Sequence, residues 1–370
     1  MQTLLPFISC FPQRGPFPLP ASFSVSVKFV QAKTQALLND LTGMQMLSPV
    51  QVQEKLVELY TVCASANAYI LDEAKRIPIS MNPSFVFPEE EETDIYNIYD
   101  NYFGVARADD LSFALFLHQY INIFSLTVED LANALISLEE LSRLITGFNE
   151  MAKYMISTID PANKIDYKEL PLVSVQPTEY NNVSDSAISK WKIQHYAFNI
   201  SMLFSTETLT QAIQALKKNE FARASELIFT SSITLRSSTS AMWSASAFTS
   251  EIYKKIVRPS MESTKSPGGF SGNQNREFET WRIVKDSFRE WLQENLDKIG
   301  PLKNSLRYWV DTYVFDMLQH ILVADAMRVD GSMVDEDMEK NFGFKTGRRA
   351  VDALQHLLEL RKKEFDFLFK

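Results

Sequence analysis

Only 11 of the 370 residues are glycine, yet Gly268, Gly269 and Gly272 fall within five positions of one another. Proline and glycine gather there, at 259–269, and again at 12–20, and long stretches between run without such a cluster. A chain so poor in the residues that permit tight turns is confined to a few long elements. Apolar residues recur at helical spacing, as with Leu56, Leu59, Tyr60 and Cys63, or Phe113, Leu117 and Tyr120. Helices are therefore expected over 50–75, over 111–155 as one or two pieces, and over 184–216 and 220–257, the last closed by Pro259. Further helices are expected over 273–296, over 301–327 with Pro301 in the first turn, and over 348–369. Segments 77–88 and 158–183 read as proline-punctuated connections. Strand-like alternation shows only weakly, at 23–30, and no repeat of 20–50 residues is visible. The expected fold class is all-α, a helical bundle over 106–370 with a smaller helical and irregular region over 1–105.

Charge narrows the partners. A net charge of −9 and a pI of about 5.2 argue against sequence-independent nucleic-acid binding, which needs a basic surface. No apolar run reaches the length of a membrane span. The N-terminal arm is apolar but contains Pro6 and has no basic lead. It reads as a packed irregular segment, with a signal peptide as the alternative, and a cytoplasmic location is expected. Cys10 and Cys63 are the whole cysteine complement, so a cysteine zinc site and a disulfide framework are both excluded. No coiled-coil seam is evident; a homodimer is the partner arrangement considered.

The chemistry must come from few residues. There is no GxSxG elbow, no phosphate-binding loop, no HExxH and no ExxH. The histidines are His118, His195, His320 and His356. His320 shares a helix face with Tyr313, Met317, Ala324 and Met327, an apolar face with small residues near the imidazole. Such a face suits a flat macrocycle whose iron takes one imidazole, with Asp316 one turn earlier placed to hold the other ring nitrogen. The alternative is a hydrogen-bonded core histidine. His195 has Phe198 and Met202 on its face, and His118 lies in a similar setting; each also reads as a buried histidine. The run ELIFTSSITLRSSTSAMWSASAFTS is a helix of small side chains, fit for close approach by another helix or by a planar cofactor.

The glycine cluster precedes a helix. Ser271 and Gln274 fit a capping box with Asn273 beginning that helix. Its N-terminus offers free N–H groups, and Arg276 projects about one turn in, where its guanidinium suits a carboxylate. The alternative is a capped helix with a surface arginine.

These pieces, in this order, resemble the indoleamine/tryptophan 2,3-dioxygenase superfamily of haem proteins. IQHYAFNISML resembles the distal helix of tryptophan dioxygenases, and GGFSGNQNREFE their SGFQS-type segment, which places Arg276 as the carboxylate arginine. The same glycines also resemble the GGSAGQS turn of indoleamine dioxygenases, and in that alignment IYKKIVRPSM supplies Arg258 instead. LVELYTVCASANAYILDEAKRIP resembles the indoleamine dioxygenase N-terminal region, and GFKTGRR resembles a degraded GTGGT loop. The interval from Arg276 to His320 is shorter than in tryptophan dioxygenases, and the complete GTGG signature is absent.

The resemblance implies a compact, divergent member with a helical bundle enclosing a b-type haem, as in superfamily enzymes of secondary metabolism. It implies His320 as iron ligand, and Gly268, Gly269 and Ser271 along the cofactor. It implies His195 and Phe198 over the distal pocket, Arg276 on the carboxylate, preferred for its longer flanking match, with Arg258 as the alternate, and Thr346 on the ammonium. The implied activity is oxidation of an aromatic L-amino acid, tryptophan, tyrosine or a derivative, by dioxygen or peroxide. The alternative is a non-catalytic haem- or ligand-binding scaffold.

Overall fold

A computed structural model of the chain describes residues 5–8, 21–43, 47–76, 95–108, 113–158, 167–176, 178–262, 274–327 and 350–369. The fold is all-α, apart from one short parallel pairing of β1 (Leu5–Ile8) with β2 (Val105–Ala108), Leu5 opposite Val105.

At the centre stands an antiparallel hairpin of α6 (Val183–Lys217) and α7 (Phe221–Ala245). Asn182 caps α6 by accepting from the Asp185 N–H, and Asn219, at φ 59, turns the chain between the two helices. Both helices are buried on most of their circumference. A helix rich in serine and threonine tolerates this because its hydroxyls find carbonyls one turn back. Thr208 donates to Phe204, Ser232 to Ile228 and Thr234 to Thr230.

Around the hairpin pack α1 (Ala21–Thr42), α2 (Pro49–Arg76), α4 (Phe113–Asn133) and α5 (Leu138–Thr158) on one side. On the other lie α10 (Arg276–Glu294), α11 (Lys303–Met327) and α12 (Ala350–Glu364). Phe116, Tyr120, Phe124, Phe148 and Phe204 stack in the first half of the core, and Trp281, Trp309, Tyr313 and Phe365 in the second. Cys63, on α2, is a free thiol buried in the first half. No helix among the described residues is long and apolar enough to cross a membrane.

Three sequence expectations give way here. The alternation at 23–30 lies inside α1, where Phe23, Val25, Val27 and Phe29 are buried and so are the small Ser24 and Ser26. A helix covered on most sides hides small polar residues too, so period-two spacing does not make a strand. The helix expected to end at Pro259 ends at Ala245. Beyond it a new segment begins with α8 (Ser250–Ile252), passes through a π-helical turn (Tyr253–Val257) and ends with α9 (Arg258–Ser260), so Pro259 sits at a first helical turn. Finally, α10 begins at Arg276, and its cap is Asn275, which accepts from the Phe278 N–H at 2.8 Å. Ser271 and Asn273 lie outside the described residues.

Candidate active site

Hydrogen bonds between serines and threonines fix how the three central helices align. Ser205 and Ser231 pair α6 with α7 at 3.0 Å, and Ser201 donates to Ser237 at 3.3 Å, an antiparallel register. Ser225 donates to Ser305 at 3.1 Å and Thr239 to Asp316 at 2.7 Å, so α7 and α11 run in the same direction. Extending the first register by nearly two turns and the second by about one brings His195 and His320 to the level of Trp243. The electrostatics agree, because charge on His320 disfavours charge on His195.

His320 has an unusual position on its helix. Tyr313, Met317, Ala324 and Met327 are all buried, yet His320, on the same face, is accessible. Its pKa is nevertheless lowered, chiefly by desolvation; Asp316 opposes that shift and Arg361 adds to it. Asp316 does not hold the imidazole as its spacing suggested. Its carboxylate accepts instead from Thr239 Oγ1 and, at 2.8 Å, from Arg361 Nη1.

His195 is enclosed. Its ring stacks on Phe103 with centroids 4.6 Å apart and lies 4.3 Å from the Trp191 ring. Nδ1 sits 2.6 Å from the Trp191 carbonyl oxygen. That contact requires a proton on Nδ1, which leaves the Nε2 lone pair available to a metal or a donor. Burial pushes the His195 pKa down to about 4, so the ring is neutral near pH 7.

Polar atoms near His195 are orphaned. Trp191 Nε1, Asn199 Nδ2, Ser244 Oγ and both amide atoms of Gln274 are buried without a hydrogen-bond partner. Each such atom costs about 1–3 kcal/mol unless something pairs with it. Gln274 adjoins Asn275, whose Nδ2 donates to Asn199 Oδ1 at 2.6 Å and to Tyr99 Oη at 2.9 Å.

The two arginines have different surroundings. Arg276 donates from Nε to Asp100 at 3.2 Å and from Nη2 to Asn97 at 2.6 Å, and it lies over the Tyr96 ring. Asp100 also takes both Nε and Nη2 of Arg107, whose Nη1 reaches Glu277. This buried network joins α3 (Ile95–Phe103) and β2 to α10, and α3 delivers Phe103 onto His195. Arg258 follows the π-turn and is half-buried, and its guanidinium has no hydrogen-bond or ion-pair partner among the described residues. Its segment packs on α6 and α3: the Tyr253 ring lies 5.9 Å from Trp191 of α6, and Ser260 shares a 2.8 Å hydrogen bond with Tyr102 of α3. A π-turn of this kind frequently marks a functional site.

Phe198 is half-buried and packs against the core on the same helix as His195. Gly268, Gly269, Ser271 and Thr346 lie outside the described residues. Sequence reasoning missed Trp191, Phe103 and Arg361. Trp191 was detectable, standing one helical turn before His195; the other two come from remote elements.

The described residues fit a haem. By register His195 and His320 stand at one level of α7, that of the small Ala241, Ser244 and Ala245, and His195 keeps its Nε2 lone pair free beside buried polar atoms without partners. Among the described residues no group of three or more His, Cys, Asp or Glu can hold a bare metal ion. A porphyrin supplies its iron's equatorial ligands itself and asks only an axial one of the protein.

Residues 19–298 match the sequence pattern of the family described as SfmD 3-methyl-L-tyrosine peroxygenase. His195, Arg258 and Arg276 lie within that span, and His320 lies beyond it. Among solved structures, a crystal structure of SfmD reduced with sodium hydrosulfite is similar over 84% of this chain and 98% of its own, with 15% identity and a TM-score of 0.45. No curated protein matches.

Proposed function

The chain belongs to the SfmD 3-methyl-L-tyrosine peroxygenase family, and from that premise we propose that it inserts oxygen into the ring of a tyrosine-type amino acid at the expense of peroxide. The broad class follows from the family: a haem-dependent oxidoreductase acting on an aromatic amino acid. Phenol replaces indole as substrate, and peroxide replaces dioxygen, because the family's description names both a tyrosine and a peroxygenase. Kinship with the indoleamine and tryptophan dioxygenases stays part of this reading, on IQHYAFNISML and GGFSGNQNREFE.

We assign the cofactor as b-type haem, since neither His-bearing helix carries a cysteine to anchor it covalently. His320 would hold its iron. When bound, the haem activates peroxide for transfer of one oxygen to the substrate, the other leaving as water. The protein's own groups do the rest. Nε2 of His195 accepts a hydrogen bond from the substrate phenol or from peroxide, the ring being held in place by Phe103, Trp191 and the Nδ1 bond. Arg258 binds the substrate carboxylate. It is preferred to Arg276 because the Arg276 guanidinium already serves Asp100 and Asn97. Phe198 lines the aromatic slot, Gly268, Gly269 and Ser271 bring backbone to the cofactor, and Thr346 meets the ammonium.

What supports this reading most is the level that His195 and His320 share along α7, set by the Ser201–Ser237 and Thr239–Asp316 hydrogen bonds. Protein purified with ample haem is expected to show a Soret band that His320→Ala loses. With hydrogen peroxide and L-tyrosine or 3-methyl-L-tyrosine, mass spectrometry is expected to find a product heavier by one oxygen. A colourless wild type, or turnover confined to tryptophan, defeats the reading.

A further inference from the structure

Asp316 stands one turn before His320 on the same helix, and its charge acts on the imidazole. A carboxylate so placed ordinarily takes the ring's second N–H and makes the imidazole a stronger donor to a metal. Here both carboxylate oxygens point elsewhere. Oδ1 accepts from Thr239 of α7 at 2.7 Å, and Oδ2 accepts from Arg361 of α12 at 2.8 Å. Arg361 is itself tightly held. It is buried, its Nη1 also donates to the Tyr313 carbonyl at 2.9 Å, and its guanidinium lies 4.3 Å over the Tyr313 ring. One turn on, Glu364 accepts from Tyr313 Oη at 2.7 Å and from Arg289 at 2.9 Å, and pairs with Lys285. The C-terminal helix thus grips α11 at Tyr313 and Asp316, immediately before His320.

We propose that Arg361 is a positioning residue that keeps the Asp316 carboxylate away from the His320 ring N–H, so that the imidazole stays a moderate donor. The inference rests on His320 as the iron ligand. It adds a function for α12, which lies wholly beyond the part of the chain that matches the family.

Resonance Raman spectroscopy of the ferrous holoprotein tests it through the iron–histidine stretch, which reports hydrogen bonding to the imidazole rather than nearby charge. In Arg361→Gln the released carboxylate turns to the His320 N–H and the stretch moves to higher frequency. Arg361→Lys, which retains a cation for Asp316, stays close to wild type. Arg361→Gln combined with Asp316→Asn returns to the wild-type frequency. Should Arg361→Gln fail to fold, Thr239→Val frees the other oxygen and shifts the band the same way by less. An unchanged frequency in every folded single variant overturns the proposal, as does a shift that persists once Asp316 is removed. A Soret band that survives His320→Ala overturns instead the ligand assignment beneath it.

Discussion

Gly147 of α5 lies so close to Ser237 of α7 that a Cβ added to it would fall 2.1 Å from the serine Cβ. Glycine within a helix costs about 1 kcal/mol relative to alanine, so Gly147→Ala would stabilise an uncrowded helix. The contact reverses the sign. Overpacking of about 1–3 kcal/mol outweighs the propensity gain, and chemical denaturation is expected to show a net loss. Gly147→Ala with Ser237→Gly recovers it, because the gap opens on the other helix.

Stability of the haem-free protein falls with acid before the carboxylates titrate. His195 has a folded pKa of about 4 against about 6.5 unfolded. Between those values the unfolded chain takes up the proton first, so the stabilisation is complete above about pH 6.5 and is lost as pH falls toward 4. The lost amount is on the order of 3 kcal/mol. His118 and His320, also lowered by burial, act in the same direction. Urea denaturation at pH 7 and pH 5 measures the slope, which His195→Gln flattens.

Removing Arg107 strands the buried Glu277 carboxylate and leaves the buried Asp100 with Arg276 alone. Asp100 is fully buried and Glu277 nearly so, and breaking such a group by losing one partner costs about 3–5 kcal/mol. Arg107→Met is expected to lower the melting temperature sharply. Neutralising the carboxylates as well, with Asp100→Asn and Glu277→Gln, restores much of it.

Arg258 and Arg276 separate by ligand. Binding calorimetry with L-tyrosine and tyramine distinguishes them, since tyramine lacks the carboxylate. Arg258→Ala is expected to weaken L-tyrosine by about 10–100-fold, the loss of a charge-assisted contact, and to leave tyramine nearly unaffected. Arg276→Ala, which breaks ties to Asp100 and Asn97, affects stability more than the preference between the two ligands. The reverse pattern would transfer the carboxylate to Arg276.

Much of the helical order was legible because burial repeats along each helix, as at Tyr313, Met317, Ala324 and Met327. His195 and Trp191 share one helix face, so their relation was readable too. What could not be read depends on partners from other elements. Arg276 looked like a free guanidinium because sequence gives no sign that Asp100 stands opposite it. Asn275 caps α10 where Ser271 and Gln274 were expected to, since its remaining amide group also bonds Tyr99 and Asn199 and both capping patterns fit locally. Asp316 has the spacing to serve His320, yet Thr239 and Arg361, from two other helices, take its oxygens. Phe103 reaches His195 only because the Arg107 network fastens α3 to α10.

Cys63 is fully buried, and that burial pushes its thiol pKa far up. Oxidants attack the thiolate form, and only where they can reach it. A catalyst fed with peroxide therefore carries this sulfur in a protonated, sealed state, sheltered from damage by its own oxidant.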